Sequence, residues 1–178
     1  MSNQMYATTV MCVRKEGKVI MASDGQVTLG DMICKSNVNK VRSLDDGRVL
    51  AGFAGSVADS LILVSELEDT LRQYPNDLTR AVIELSKKWR GDRSFQRLDT
   101  SIVIANKDKI LCVGGNGEVV EIEDEIVSIG SGSKFALAAG YALIYEEKLS
   151  AEDIVKKSMN IAAKLCVYTN EHLNIISL

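Results

Sequence analysis

Apolar positions along the chain switch between a two-residue and a three-to-four-residue period. Thr8–Arg14 and Lys18–Ala22 are rich in Val, Ile and Thr, and Glu16-Gly17 between them suits a tight hairpin. Lys40–Leu44 and Arg48–Phe53 form a second strand pair through the turn Asp45-Asp46-Gly47. The period then lengthens. Val64, Leu67, Leu71 and Tyr74 recur on one helical face after the possible caps Ser56 and Asp59. Pro75-Asn76-Asp77 breaks that helix, and Asp77 caps the next, whose stripe is Leu78, Val82, Leu85 and Trp89.

Strands return as Ser101–Ala105, Ile110–Val113, Glu118–Ile122 and Ile126–Ile129, joined by Asn106-Lys-Asp-Lys109 and Gly114-Gly-Asn-Gly117. A second helix pair follows. One member runs from Ser133 through Phe135, Ala138, Ala142 and Tyr145. The other opens on Ser150-Ala-Glu-Asp153, a capping-box pattern, and turns Ile154, Ile161 and Leu165 inward. A short tail follows, in which Asn170-Glu-His-Leu173 reads as a loop. Strands and helices come in blocks rather than in alternation, which disfavours a doubly wound parallel sheet. Two antiparallel sheets stacked face to face, each covered outside by a helix pair, bury every stripe. The expected fold is α+β, a four-layer α-β-β-α sandwich in one domain, as a length of 178 residues with no linker or repeat suggests.

Charge narrows the function. Lys and Arg number 21 and Asp and Glu 24, a net charge of −3, a poor footprint for nucleic acid. No apolar run is long enough to span a membrane. The N-terminal residues lack the pattern of a signal peptide, so a cytoplasmic location with reduced thiols is expected for Cys12, Cys34, Cys112 and Cys166. None forms a C-x-x-C pair, and His172 is the sole histidine, so a zinc cluster is disfavoured. Any histidine-dependent nucleophile would have to work through that residue.

A mechanism without histidine is available at Ala7-Thr8-Thr9. Threonine is an ordinary strand residue, and the pair acquires chemistry only if the chain is cut between Ala7 and Thr8. Thr8 would then carry a hydroxyl nucleophile and a free α-amine, whose reference pKa near ~7.7–8.0 lets it accept the hydroxyl proton. A neighbouring ammonium would favour the neutral amine, and Lys40, opening a strand, is the candidate; Asp24 in Ser23-Asp-Gly-Gln26 would fix that ammonium. Ala51-Gly-Phe-Ala-Gly-Ser56 and Ile129-Gly-Ser-Gly-Ser133 are strand-to-helix junctions able to aim an amide or the Ser131 hydroxyl at an oxyanion. Neither glycine stretch is a phosphate-binding motif.

Taken in order, Thr8-Thr9, Ser23-Asp-Gly-Gln-Val-Thr-Leu-Gly30, Asn39-Lys-Val-Arg42, Ala51-Gly-Phe-Ala-Gly-Ser-Val-Ala-Asp59, Ile129-Gly-Ser-Gly132 and Cys166-Val-Tyr-Thr-Asn170 resemble the HslV (ClpQ) family from Thr8 almost to the C-terminus. These are proteasome β-subunit-like, N-terminal-nucleophile peptidases of bacterial ATP-dependent proteases. The resemblance implies that sandwich fold, and two stacked six-membered rings fed with unfolded polypeptide by ATPase unfoldase (HslU) hexamers. ATP is bound by the partner and not by this subunit. It implies a threonine endopeptidase with Thr8 as nucleophile and its own amine as base. Lys40 tunes the pair, Asp24 supports the lysine, the amide of Gly52 lines the oxyanion hole, and Ser131 assists near the amine. A structural sodium ion held by the backbone carbonyls of Ala163, Cys166 and Thr169 is implied as well.

Ser23, Asn39, Ala163, Ser133 and the run Arg97-Leu-Asp-Thr-Ser101 depart from the family pattern without removing a catalytic group. Residues 1–7 are expected to be a propeptide and 8–178 the peptidase domain, with Met1 and Met5 both open as starts. While the leader remains, Thr8 has an amide in place of its amine. The competing readings are a non-catalytic ring subunit that keeps its leader, an amide hydrolase using Cys12 or Cys34, and a hydrolase built on His172.

Overall fold

The computed structural model describes residues 5, 6, 8–91 and 100–178. Of the leader, residues 1–4 and 7 lie outside the described residues, as do Arg97, Leu98 and Asp99 of the divergent run.

Strands β1 (Met5–Tyr6), β2 (Thr9–Lys15), β3 (Lys18–Ser23), β4 (Val27–Leu29), β5 (Met32–Lys35), β6 (Val41–Leu44) and β7 (Val49–Gly55) precede helices α1 (Val57–Gln73) and α2 (Leu78–Gly91). Strands β8 (Thr100–Ala105), β9 (Ile110–Val113), β10 (Val119–Ile122) and β11 (Ile126–Gly130) follow. Helices α3 (Ser133–Leu143) and α4 (Ala151–Leu165) and a closing strand β12 (Asn174–Ser177) complete the chain. Among the described residues the strands form a five-stranded sheet ordered β10-β9-β8-β7-β6, a four-stranded sheet ordered β11-β2-β3-β12, and a small β1-β4-β5 sheet. Each pairing is antiparallel.

Three apolar layers hold this together. Alternate residues of β7 and β8 point to opposite faces, so Ala51, Phe53, Ile102 and Ile104 meet Leu63, Leu67, Leu85 and Trp89 of α1 and α2. Their neighbours Leu50 and Val103 turn inward to meet Val10, Cys12 and Met21 between the sheets. Met11, Val13, Ile20 and Ala22 face α3 and α4 through Ile154, Val155, Met159 and Ala162. This is the four-layer sandwich expected from the sequence. The caps are those the sequence suggested. Ser56 accepts from the Asp59 N–H, Asp77 from the Arg80 N–H, and Ser150 with Asp153 forms a capping box.

Some helix faces and the tail differ from expectation. Phe135, Ala138, Ala142 and Tyr145 of the third helical segment are exposed, and Ala136 and Gly140 are its buried positions. A Cβ on Gly140 would lie 2.1 Å from Ile126 Cδ1 and 2.5 Å from Met11 Cε, so the helix presses its smallest residues onto the sheet. On α4, Ile154 is buried as expected, but Ile161 and Leu165 face outward, with Val155, Ser158, Met159 and Ala162 inside. The tail ends in a strand, β12, which pairs with β3 from Asn174 opposite Ser23 to Ser177 opposite Ile20.

Candidate active site

Thr8 sits immediately before β2 and is buried. Its carbonyl accepts a 2.8 Å hydrogen bond from the Ser131 N–H. Gly130, at φ +93°, delivers that amide, and a Cβ there would stand 1.9 Å from the Thr8 oxygen. Only glycine satisfies both conditions. The end of β11 is thus clamped to the backbone of Thr8, which brings Ser131 to the site.

Asp24 follows β3 and is wholly buried. Its Oδ1 accepts from the Thr9 N–H at 2.8 Å and from Lys40 Nζ at 3.1 Å. Its Oδ2 accepts from the N–H groups of Gln26 at 2.9 Å and Asn170 at 3.4 Å. A buried carboxylate needs such a full set of donors. Lys40 is itself 7% exposed and also donates to the Gln26 carbonyl. Burial pushes the pKa of the Lys40 ammonium below its ordinary 10.5, while the charge of Asp24 pulls it back up. The result is a cation held at one point by a buried anion and a carbonyl.

A narrow pocket of about 40 Å³ brings Thr8 and Lys40 together, with Arg42, Phe53, Gly55 and Leu61 among its walls. Gly52 is not among them. It lies mid-strand in β7, opposite Val41 on one side and Val103 on the other. A Cβ on it would be 2.5 Å from Val10 Cγ1 and 2.9 Å from Met21 Sδ, so this glycine lets the two sheets approach. Phe53 donates its N–H to Lys40 on the β6 side, so by strand alternation the Gly52 amide faces β8. The glycine at the pocket is Gly55, at φ +126°, the last residue of the strand before the cap Ser56. It lies in the same Ala51–Ser56 stretch, and its place beside a helix N-cap was the signal that would have singled it out.

The residues proposed for a cation cluster at the end of α4. Cys166 is the C-cap, its N–H bonded to the Ala162 carbonyl, and its own carbonyl accepts from the Thr169 N–H at 3.1 Å. The Thr169 hydroxyl shares a 2.7 Å hydrogen bond with that of Thr9, which also accepts from the Gly132 N–H at 3.0 Å. This turn therefore reaches the residue next to Thr8. Ala163 lies in the last turn of α4, with Cys166 and Thr169 in the turn beyond it, and backbone oxygens at the negative end of a helix are hard donors of the kind a small monovalent cation requires. Among the described residues no cluster of His, Cys, Asp and Glu side chains could hold a metal.

The competing nucleophiles lie elsewhere. Cys12 is fully buried and its thiol is pushed up to about 12, an inert group in the core. Cys34 is exposed on β5 and His172 is exposed beyond α4, and neither lines the pocket.

The proteasome subunit family matches residues 5–178, nearly the whole chain. The chain belongs to the proteasome subunit family. Within it, a Bartonella quintana protein named ATP-dependent protease subunit HslV is 51% identical over 175 residues, 98% of this chain and 90% of that protein. A Treponema denticola protein of the same name is 44% identical over 170 residues, 96% of each. The crystal structure of eukaryotic HslV from Trypanosoma brucei superposes with a TM-score of 0.91 at 43% identity, covering 96% of this chain and 98% of that one. Among the described residues, no helix of this proteasome-family chain is long and apolar enough to cross a membrane.

Proposed function

We propose that this chain is the proteolytic subunit of an ATP-dependent protease, an N-terminal threonine endopeptidase acting on unfolded polypeptide. The observation that carries the proposal is the shared pocket. Thr8 and a buried lysine face one cavity, and the lysine is pinned from behind by a carboxylate that has no other cation near it among the described residues.

Cleavage between Ala7 and Thr8 removes residues 1–7 as a propeptide and leaves 8–178 as the working domain. The new α-amine takes the proton of the Thr8 hydroxyl as its oxygen attacks the substrate carbonyl carbon. Lys40 holds the amine neutral and stabilises the developing alkoxide. The oxyanion is assigned to the Gly55 amide. That N–H shares the strand side of the Phe53 N–H, but lies beyond the start of β6, where no strand residue among the described residues takes it up. The protonated amine then gives its proton to the departing amine, and the acyl group stays on the Thr8 oxygen until water, deprotonated by the same amine, releases it. Ser131 supports the amine from the β11 turn.

Membership of the proteasome subunit family supports a ring assembly with an ATPase partner, and the proposal extends to its details. The subunit works in the cytoplasm in a double ring of twelve, two stacked hexamers fed by an ATPase hexamer of the HslU type. A sodium ion bound by the carbonyls of Ala163, Cys166 and Thr169 would stiffen the turn that ends at Thr9. In the uncut chain, Met5 and Tyr6 lie as a strand against Leu29 and Thr28, next to the nucleophile. That seat also suits the second reading, a ring subunit that keeps its leader.

Intact mass of the untagged protein separates the two: a chain starting at Thr8 is the peptidase, a full-length chain the inactive subunit. Thr8→Ala should abolish peptide hydrolysis and leave ring assembly and melting temperature unchanged. Retained hydrolysis by Thr8→Ala would end the proposal.

A further inference from the structure

We infer that Asn170 is a positioning residue for the Asp24–Lys40 pair, locking the loop that carries each partner onto the turn after α4. The inference rests on the peptidase reading above and concerns a side chain that touches neither nucleophile nor pocket.

Four hydrogen bonds define its place. The backbone N–H of Asn170 donates to Asp24 Oδ2 at 3.4 Å. Its side-chain Oδ1 accepts from the Gly25 N–H at 3.1 Å and from the His172 N–H at 3.1 Å. Its Nδ2 donates to the Ser36 carbonyl at 2.9 Å. One planar amide therefore spans the residue after Asp24 and the segment leading into Lys40.

Those two segments are already in close contact. Val38 donates its N–H to the Gly25 carbonyl at 2.9 Å. A Cβ on Gly25 would lie 2.5 Å from the Ser36 carbonyl oxygen and 2.9 Å from Asn37 Cα. Residues 31–37 are otherwise exposed, so the run into Lys40 lacks an apolar anchor of its own until Val41 enters the core. The amide's oxygen accepts from one side of this gap while its nitrogen, a separate atom, donates to the other. Asparagine also holds the tight turn to His172 through its own oxygen. The Asp24 carboxylate, held on the Lys40 side by the Thr9 N–H, is thus also tied on its far side to a residue 146 positions away in sequence.

The consequence is electrostatic. The charged groups that bear on the Thr8 amine are Lys40 and Arg42, which line its pocket, and Asp24 behind Lys40. His172 enters the cluster by its backbone alone. Without the Asn170 amide the Lys40 head moves toward solvent, its effect on the amine weakens, and the amine holds its proton to higher pH. The acid limb of kcat/KM therefore moves up.

The test compares wild type, Asn170→Ala, Asn170→Asp and His172→Gln. All are made with the leader replaced by a fusion that a separate enzyme removes, so that Thr8 is exposed without self-processing. Hydrolysis of a fluorogenic peptide is measured across pH per chain beginning at Thr8. For Asn170→Ala the acid limb is expected to rise by about half a pH unit or more, with kcat reduced about tenfold and KM within about twofold. Asn170→Asp keeps the acceptor for Gly25 but loses the donor to Ser36, so it should not rescue the limb. His172→Gln should match wild type. An unmoved acid limb in Asn170→Ala overturns the inference, whether the rate is unchanged or falls together with the melting temperature as for a purely structural residue. Recovery of the wild-type limb in Asn170→Asp overturns it as well. The peptidase reading fails separately, through an active Thr8→Ala.

Discussion

Lys40→Met is the most informative perturbation of the site, because it removes a charge while keeping most of the side chain's volume. Breaking a buried ion pair by deleting one partner costs about 3–5 kcal/mol, since the remaining charge is left in a poor solvent. Here the carboxylate of Asp24 keeps three backbone donors, from Thr9 at 2.8 Å, Gln26 at 2.9 Å and Asn170 at 3.4 Å. The expected loss is therefore at the low end, about 3 kcal/mol, of which about 1 kcal/mol is the Gln26 carbonyl deprived of its donor. The double variant Asp24→Asn with Lys40→Met leaves no unpaired charge, so the cycle should show a coupling of about 2 kcal/mol. Urea denaturation at one fixed subunit concentration supplies the four stabilities, because assembly and folding are linked. Hydrolysis per exposed Thr8 should fall at least about 100-fold in Lys40→Met. A cost below about 1 kcal/mol with an additive cycle would refute the buried-pair argument, and near-normal hydrolysis would refute the role of the ammonium.

Other consequences follow from the same geometry. Burial lowers the Lys40 pKa below 10.5, so in the window just under that value the unfolded chain binds more protons than the folded one. Stability should therefore rise with pH there while kcat/KM falls, a pair of opposite slopes measurable by denaturation and by initial rates. Gly52→Ala should destabilise by about 1–3 kcal/mol through the contacts with Val10 and Met21, with activity per folded chain preserved. Gly55→Ala should do the reverse, cutting kcat about 100-fold or more by displacing the pocket amide, as single-turnover rates would show. Replacing His172 by Gln should leave turnover within about twofold, and a large loss would revive a histidine mechanism.

The sandwich was legible because strand and helix periods came in blocks, and because Ser56, Asp77 and Ser150 each stood where a cap was needed. The face of α3 was not. Both of its sides are apolar, and a reading that follows the large residues selects Phe135 and Tyr145, whereas the positions fully buried against the sheet are Ala136 and Gly140. The hairpin of β4 and β5 escaped for a related reason, since its outer strand is exposed throughout and its Met32, Ile33 and Cys34 do not alternate with polar residues. At the site, Asp24 and Lys40 were found as types and the structure joins them at 3.1 Å. Gly52 and Gly55 share one motif, and only the strand's register tells which reaches the pocket. Locally Asn170 signalled only the turn to His172, because its partners Gly25 and Ser36 are contributed by a segment near the other end of the chain.

That separation bears on how the molecule comes into being. The Thr9–Thr169 hydrogen bond closes over 160 positions and the Asn170–Asp24 bond over 146. Contacts so distant in sequence form late, after the loops between them have been closed by other structure. A chain still emerging from the ribosome holds Thr8, Asp24 and Lys40 long before it holds the turn that orders them. It is nearly complete before the cluster around its nucleophile can be assembled, so a truncated or half-folded copy has no ordered site with which to cut its neighbours.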